Sequence, residues 1–348
     1  MKISDLVAES LYNKENGYYI HNNPLGSKND FITAPEISQI FGEVMAIYLL
    51  HIFQNFNEEI SLVEMGAGRG VWFCDILHSI HKLAQKNSKI AINFLQKANF
   101  NIIEINQELT KIQQQKLKNY KINWYQNFLE FNKNNLSPIF FISNELFDCF
   151  PIDQYIKTKV GWQERLVVFD DKQNLSRGRF VIRNFDKKID DFVVHQIGNY
   201  NANKAGVGAV FEYSEMAQNL MNLLCMAIKQ RGGILINFDY GYNFYEFANT
   251  LQVIKNHQKI DFFQGLGNAD ITALVDFVAL DKIAKKYQLK TSLISQREFI
   301  LNLNGAERLQ NLIKENPAQK VDLIQRFNRL IDINQMGDLF KAMIIWQD

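Results

Sequence analysis

From Ile60 onward the chain alternates short apolar runs with helix-length segments, and this alternation limits the fold more than any other feature. ISLVEM, FNIIEI, INWYQ, SPIFFISNE and RGGILINFDYG read as strands. VWFCDILHSIHKLAQK, ELTKIQQQKLKNY and MAQNLMNLLCMAIKQ read as helices between them. Strands joined by helices of this length pair side by side through crossovers, so the expected fold is α/β, a Rossmann-like doubly wound sheet. Two later β segments, LKTSLISQ and LFKAMIIWQ, lack a crossover helix directly before the last one. They are expected to close the sheet edge with an antiparallel strand, which makes the sheet mixed.

The remaining segments divide the chain of 348 residues. Residues 1–58 read as an N-terminal helical cap. It has an extended Gly/Asn/Pro-rich piece from Gly17 to Asp30 and a helix from Pro35 to about Gln54. In that helix Ile37, Ile40, Phe41, Val44, Met45 and Tyr48 form an amphipathic stripe, and Thr33, Pro35 and Glu36 form its start, with Thr33 as the capping hydroxyl. Residues 59–150 are the first part of the core and 211–348 the second. Residues 151–210 are a hairpin-rich insertion, an inserted α+β lobe, and 241–285 a further insertion. Both insertions leave the carboxyl ends of strands, where open α/β sheets bind ligands.

Composition removes several functions. With 38 basic against 37 acidic residues the net charge is +1, which argues against a binder of nucleic-acid backbone or anionic membrane. No run approaches a membrane span. Cys74, Cys149 and Cys225 form no CxxC pair and read as reduced thiols. The N-terminal MKISDLVAESLYNK has neither the apolar run of a signal peptide nor the arginines of a transit peptide. The expected setting is therefore cytoplasmic. Oligomeric state is left open.

Glu64-Met65-Gly66-Ala67-Gly68-Arg69-Gly70 lies between the first strand and its helix. Glycines there permit a tight turn and close approach of a ligand to backbone N–H groups. Read blandly, such a loop is a plain turn, and Glu104 at the end of the second strand is a solvated acid. Read together, Glu104 is placed to accept both ribose hydroxyls of a nucleoside. The spacing is GxGxG, not the GxGxxG of dinucleotide sites, and Glu64 would stand against a pyrophosphate. An acid suits the amino group of S-adenosylmethionine better, so that cofactor is expected and NAD is disfavoured.

At the end of the fourth strand come Asn144, Glu145 and Asp148. Paired carboxylates would hold a guanidinium, bias it towards one nitrogen and accept the released proton. The alternative is a helix N-terminus, with Asn144 as cap and the acids favouring the dipole. Asp239-Tyr240-Gly241-Tyr242 follows the fifth strand and could line an acceptor pocket or form an exposed turn. His257 and Asp270 could be a base and its orienting acid, although an isolated His is commonly structural. His78 and His81 lack the carboxylate of HExxH, so no metal site is expected. The basic residues from Arg165 to Lys188 are interleaved with acids and read as a solvated hairpin face.

Taken in order, these motifs resemble the MidA family of S-adenosylmethionine-dependent methyltransferases, whose mitochondrial members assist assembly of respiratory complex I. The resemblance includes Gly17-Tyr18-Tyr19, the run from Asp30 to Ser38, Phe41-Gly42-Glu43, and Leu62 to Gly70. It continues through Asn144-Glu145-Leu146-Phe147-Asp148 with Pro151, then Gly161-Trp162 and Glu164-Arg165. Asp239 to Tyr242, His257, Ala269 to Thr272 and Val275-Asp276-Phe277 complete it. Ala67 stands where the family has Pro, Asn29 where it has Gly, and Cys149 where it has Ala.

The resemblance implies a class I methyltransferase fold with an added lobe and symmetric dimethylation of an arginine on a complex I subunit. Glu64, Gly66, Gly68, Gly70, Glu104 and Asn144 are expected to hold the cofactor, and Glu145, Asp148, Asp239 and His257 to be catalytic. Methylation of a small molecule or RNA, and an assembly chaperone that binds the cofactor without turnover, are the competing expectations.

Overall fold

The computed structural model of this chain describes residues 1–21, 32–56, 58–171 and 177–347. It divides into two compact units. Asn29 and Asp30 lie outside the described residues.

The larger unit comprises Leu25–Leu146, Leu224–Tyr240 and Ala284–Asp348. Its sheet contains β1 (Ile60–Met65), β2 (Ala98–Ile103), β3 (Ile122–Tyr125), β4 (Ile139–Asn144), β5 (Gly233–Tyr242), β6 (Lys290–Ser295) and β7 (Phe340–Trp346). The strand order is β6-β7-β5-β4-β1-β2-β3. β1 pairs in parallel with β2 and β4, β2 with β3, and β4 with β5, as the strand–helix alternation requires. β7 runs antiparallel to both β5 and β6.

The antiparallel strand is therefore not at the edge, where the sequence reading put it, but one place inside. Burial gives the reason. Phe340, Ala342, Met343, Ile344 and Ile345 of β7 are all buried, so β7 needs a neighbour on each side. Every residue of β6 keeps some solvent exposure, which suits an edge.

Leu62, Ile102, Phe140, Ile142 and Ile236 cover one face of the sheet and share a core with two helices, Ile40–Phe53 and Val71–Gln85. Phe41 stacks on Trp72 at 5.1 Å between centroids, and Phe238 meets Phe41 edge-on at 4.9 Å. The helix Ile40–Phe53 is apolar around most of its circumference, as expected of a helix buried on several sides. It is not continuous with Pro35. Ser38 is extended (φ −153°, ψ 131°) and its hydroxyl accepts the Ile40 amide at 3.3 Å, so the segment breaks into Ala34–Ile37 and Ile40–Phe53. The Thr33 hydroxyl makes no capping bond; its carbonyl instead accepts the Glu36 and Ile37 amides.

The smaller unit gathers Met1–Pro24, Phe147–Leu223 and Gly241–Ile283. It holds a four-stranded antiparallel sheet, ordered Gly178–Ile182, Gly161–Phe169, Asp153–Thr158, Val210–Tyr213. Leu6 and Leu11 from the first helix pack in one core with Val167, Phe262, Phe263 and Ile271. Arg165 departs from the solvated face expected of this hairpin. It is half-buried, lies 3.9 Å over the Phe180 ring and donates to Gln154 Oε1 at 2.8 Å.

Gly233 opens β5 with φ +111°, and a Cβ there would stand 2.1 Å from the Ile139 carbonyl oxygen of β4. Gly233→Ala must therefore both strain its backbone and push two central strands apart. We expect a loss of roughly 2–4 kcal/mol in unfolding free energy, measured by urea denaturation.

Candidate functional site

Directly after β1 the chain turns through Gly66, Gly68 and Gly70, all left-handed (φ 71°, 53° and 69°). Only glycine takes such values without strain. The Gly66 amide donates to the Ile103 carbonyl at 3.0 Å, tying the turn to the end of β2. A Cβ on Gly66 would come within 3.2 Å of Leu146 Cδ1, and one on Gly70 within 3.3 Å of Gln113 Cγ. The helix Val71–Gln85 begins at the next residue and presents its first-turn N–H groups there. Arg69 turns outward to Glu36, with Nε 3.0 Å from Oε1.

Glu64, one residue before the end of β1, is 3% exposed, and its Oε2 has no hydrogen-bond partner among the described residues. Burial and the neighbouring negative charge of Glu104 push its carboxyl up to about 8, while the Phe73 amide draws it down. On adjacent β4, Glu64 stands opposite Ile142, so Asn144 shares its face of the sheet. The Asn144 Oδ1 is likewise buried and without a partner among the described residues, while its Nδ2 donates to Glu145 Oε1 at 3.1 Å. Two buried acceptors that lack donors fit a cationic group carrying several N–H bonds, such as the ammonium of an amino acid.

Glu104 follows β2 and is 8% exposed. Its Oε1 accepts the Asn106 amide at 2.9 Å and its Oε2 accepts Gln113 Nε2 at 3.0 Å. The Ile105 amide also donates to this carboxylate, and with about four acceptor sites on its two oxygens, capacity remains for a ligand hydroxyl. Burial raises this carboxyl to about 7, against the pull of those hydrogen bonds. Gln113 was not singled out in the sequence. The signal was its place midway between Leu109 and Leu117, a polar residue on the buried stripe of its helix.

After β4 the chain forms a turn, so the helix N-terminus considered for Asn144 is not formed. Glu145 is left-handed (φ 52°), an unusual state for glutamate. Its amide donates to the Phe238 carbonyl at 2.8 Å. Asp239 is fully buried and accepts the Leu146 amide at 3.2 Å and the Tyr240 amide at 3.0 Å. It clamps the turn that holds Glu145.

The other expected residues lie in the smaller unit. His257 is exposed and, with Asn256, forms a two-residue hairpin turn in which both residues are left-handed (φ 60° and 51°). Such turns demand positive φ at both positions, which accounts for Asn256. Asp270 accepts the Tyr19 hydroxyl, and the Tyr12 hydroxyl donates to the Cys149 carbonyl at 3.0 Å. Asp148 is 6% exposed and its carbonyl accepts the Ala273 amide. It lines a recess of about 430 Å³, open solvent included, together with Phe147, Glu212, Tyr242, Leu274 and Asp276. No Lys, Arg or His lines it among the described residues. Glu212 was not singled out in the sequence, where nothing local marks it, and Asp276 entered only within the Val275-Asp276-Phe277 motif of the family resemblance.

A sequence model of the family described as "Putative S-adenosyl-L-methionine-dependent methyltransferase" matches residues 44–295. The chain belongs to that family. The methyltransferase is 28% identical to "Protein arginine methyltransferase NDUFAF7, mitochondrial" of Danio rerio, over 98% of this chain and 82% of the relative. It is 28% identical to the Homo sapiens protein of the same name, over 97% of this chain and 78% of the relative. A Burkholderia thailandensis crystal structure with bound S-adenosyl-homocysteine superposes with a TM-score of 0.83 at 22% identity, covering 100% of this chain and 88% of that one. The fold is thus that of an S-adenosylmethionine-dependent methyltransferase. No helix among the described residues is long and apolar enough to cross a membrane.

The residues at the larger unit's sheet edge fit this cofactor. Glu64 and Asn144 would face its ammonium, Glu104 its ribose, and the glycine turn would let its backbone approach. Glu64 and Glu104 are held above the ordinary 4.5, at about 8 and about 7. The ligand-free fold therefore binds these protons more tightly than the unfolded chain does. The stability so gained is full below about pH 4.5 and is lost as pH rises through both folded values. Glu64→Gln should melt higher than the wild type at pH 8.5, by at least about 2 °C, with the gap closing at pH 5. The same variant should lose binding of S-adenosyl-homocysteine in calorimetry.

Proposed function

We propose that this methyltransferase acts on the guanidinium of an arginine in a protein client. The observation that carries the reading is the recess of the smaller unit, whose lining combines Asp148, Glu212 and Asp276 with aromatic side chains and no basic group. Carboxylates set against aromatic faces suit a planar cation. The arginine methyltransferase names of the two relatives support the same class. Following the family resemblance, the proposed client is a respiratory complex I subunit and the proposed product a symmetric dimethylarginine. The proposed setting is cytoplasmic.

S-adenosylmethionine, when bound, supplies a methyl group on a sulfonium that an in-line nitrogen can displace. The chain's task is to hold the acceptor and remove its proton. Glu145 and Asp148 are assigned the guanidinium, with a carboxylate taking the proton that the nitrogen sheds as the new N–C bond forms. Asp276 keeps part of its surface in solvent, yet packing around its carboxyl pushes it up to about 6, against the Ala279 amide that it accepts at 2.9 Å. Its ionised form is the one that attracts a cation, so kcat/KM for the acceptor should rise as pH passes through about 6. Asp276→Asn can keep the hydrogen bond to Ala279 and should flatten that rise.

Glu145→Gln should leave affinity for S-adenosyl-homocysteine intact while lowering kcat by about 10²–10⁴-fold. The substrate class is tested by adding the purified protein with methyl-labelled S-adenosylmethionine to a lysate of the host that lacks this gene, against the same lysate without the protein. Label recovered as methylarginine after protein hydrolysis supports the proposal. Label confined to RNA or small molecules overturns it.

A further inference from the structure

Gln113 is completely buried, and all its polar atoms are engaged. Its Oε1 accepts the indole N–H of Trp124 on β3 at 3.1 Å. An indole nitrogen is only a donor, so it fixes which way the amide points. The Nε2 is thereby directed to two acceptors, the Gly68 carbonyl at 2.8 Å and the Glu104 Oε2 at 3.0 Å. One side chain thus joins three pieces of the sheet edge: β3, the glycine turn and the acid after β2. The same residue is what a Cβ on Gly70 would strike.

We propose that Gln113 is a positioning residue for cofactor binding, holding Glu104 ionised and aimed at the ribose while fixing that carboxylate to the glycine turn. This rests on the assignment of Glu104 to the ribose. The physical argument is one of donors. A buried carboxylate without a counter-charge prefers to be protonated, and a protonated acid would lose acceptor capacity for ribose hydroxyls. Gln113 can only donate towards Glu104, because Trp124 has claimed its oxygen, so it favours the ionised acid. Among the described residues the negative charge of Glu104 raises the carboxyl of Glu64 on β1, and burial is what opposes ionisation of Glu104 itself. The Asn106 and Ile105 amides are the further donors, both fixed by the backbone.

Calorimetric titration of the full chain with S-adenosyl-homocysteine between pH 6 and 9 tests this. Gln113→Met, close in size and without a donor, should weaken binding by roughly 10–100-fold at pH 7. It should also move the pH at which binding strengthens upward relative to the wild type. Gln113→Glu, nearly isosteric, can donate only while protonated, so its binding should weaken as pH rises, the reverse of the wild-type trend. In a Glu104→Gln background, Gln113→Met should add little further loss.

Equal losses from Gln113→Met in both backgrounds, or a Gln113→Glu profile that follows the wild type, would overturn the positioning role and leave the ribose assignment standing. Unchanged affinity in Glu104→Gln alone removes the ribose assignment itself.

Discussion

Two carboxylates buried within reach of each other's charge, Glu64 at the end of β1 and Glu104 just past β2, are the constraint on which this structure turns. Among the described residues neither is paired with a basic group, and each is pushed upward by burial. A fold selected for stability alone would replace such acids with apolar residues. Their place at the carboxyl edge of a parallel sheet fits a ligand that brings a donor to the Glu64 Oε2, which has none among the described residues. The glycine turn then follows from the same requirement, since a side chain at Gly66 or Gly70 would crowd Leu146 or Gln113.

The same trade recurs at the end of β4. Glu145 is held in a left-handed conformation that costs free energy of order 1–3 kcal/mol, and the structure over-determines it. The Phe238 carbonyl binds its amide, and buried Asp239 binds the amide of Leu146. Strain of this kind, maintained by a buried polar clamp, is characteristic of residues whose aim matters more than their comfort. Asp239 holds this turn by accepting the Leu146 and Tyr240 amides.

The smaller unit shows how a core and a cluster of acids are assembled from distant sequence. Its core joins Leu6 and Leu11 to Val167 and to Phe262, Phe263 and Ile271, and its recess joins Asp148 to Glu212 and Asp276. Glu212 is held by Thr250 and by Gln154 Nε2 at 2.7 Å. These acids therefore have structural anchors, and an anchored carboxylate is one that can face a cation without moving.

Sequence alone determined the alternating strands and helices, the parallel core, the glycine turn and the acids at strand ends, because periodicity and chain punctuation are local properties. It also carried the likeness to a methyltransferase family, since the ordered motifs span nearly the whole chain. Tertiary structure decided what depends on long-range burial. β7, buried on both faces, took the inner position that sequence had given to the edge. The helix expected from Pro35 broke at Ser38, and His257 became one of two turn residues at a hairpin tip. Gln113, in a run of three glutamines, acquired its place only when β3, the glycine turn and Glu104 came together around it. Local patterns announce which face of an element is buried; which polar group meets which across that burial is settled only by packing.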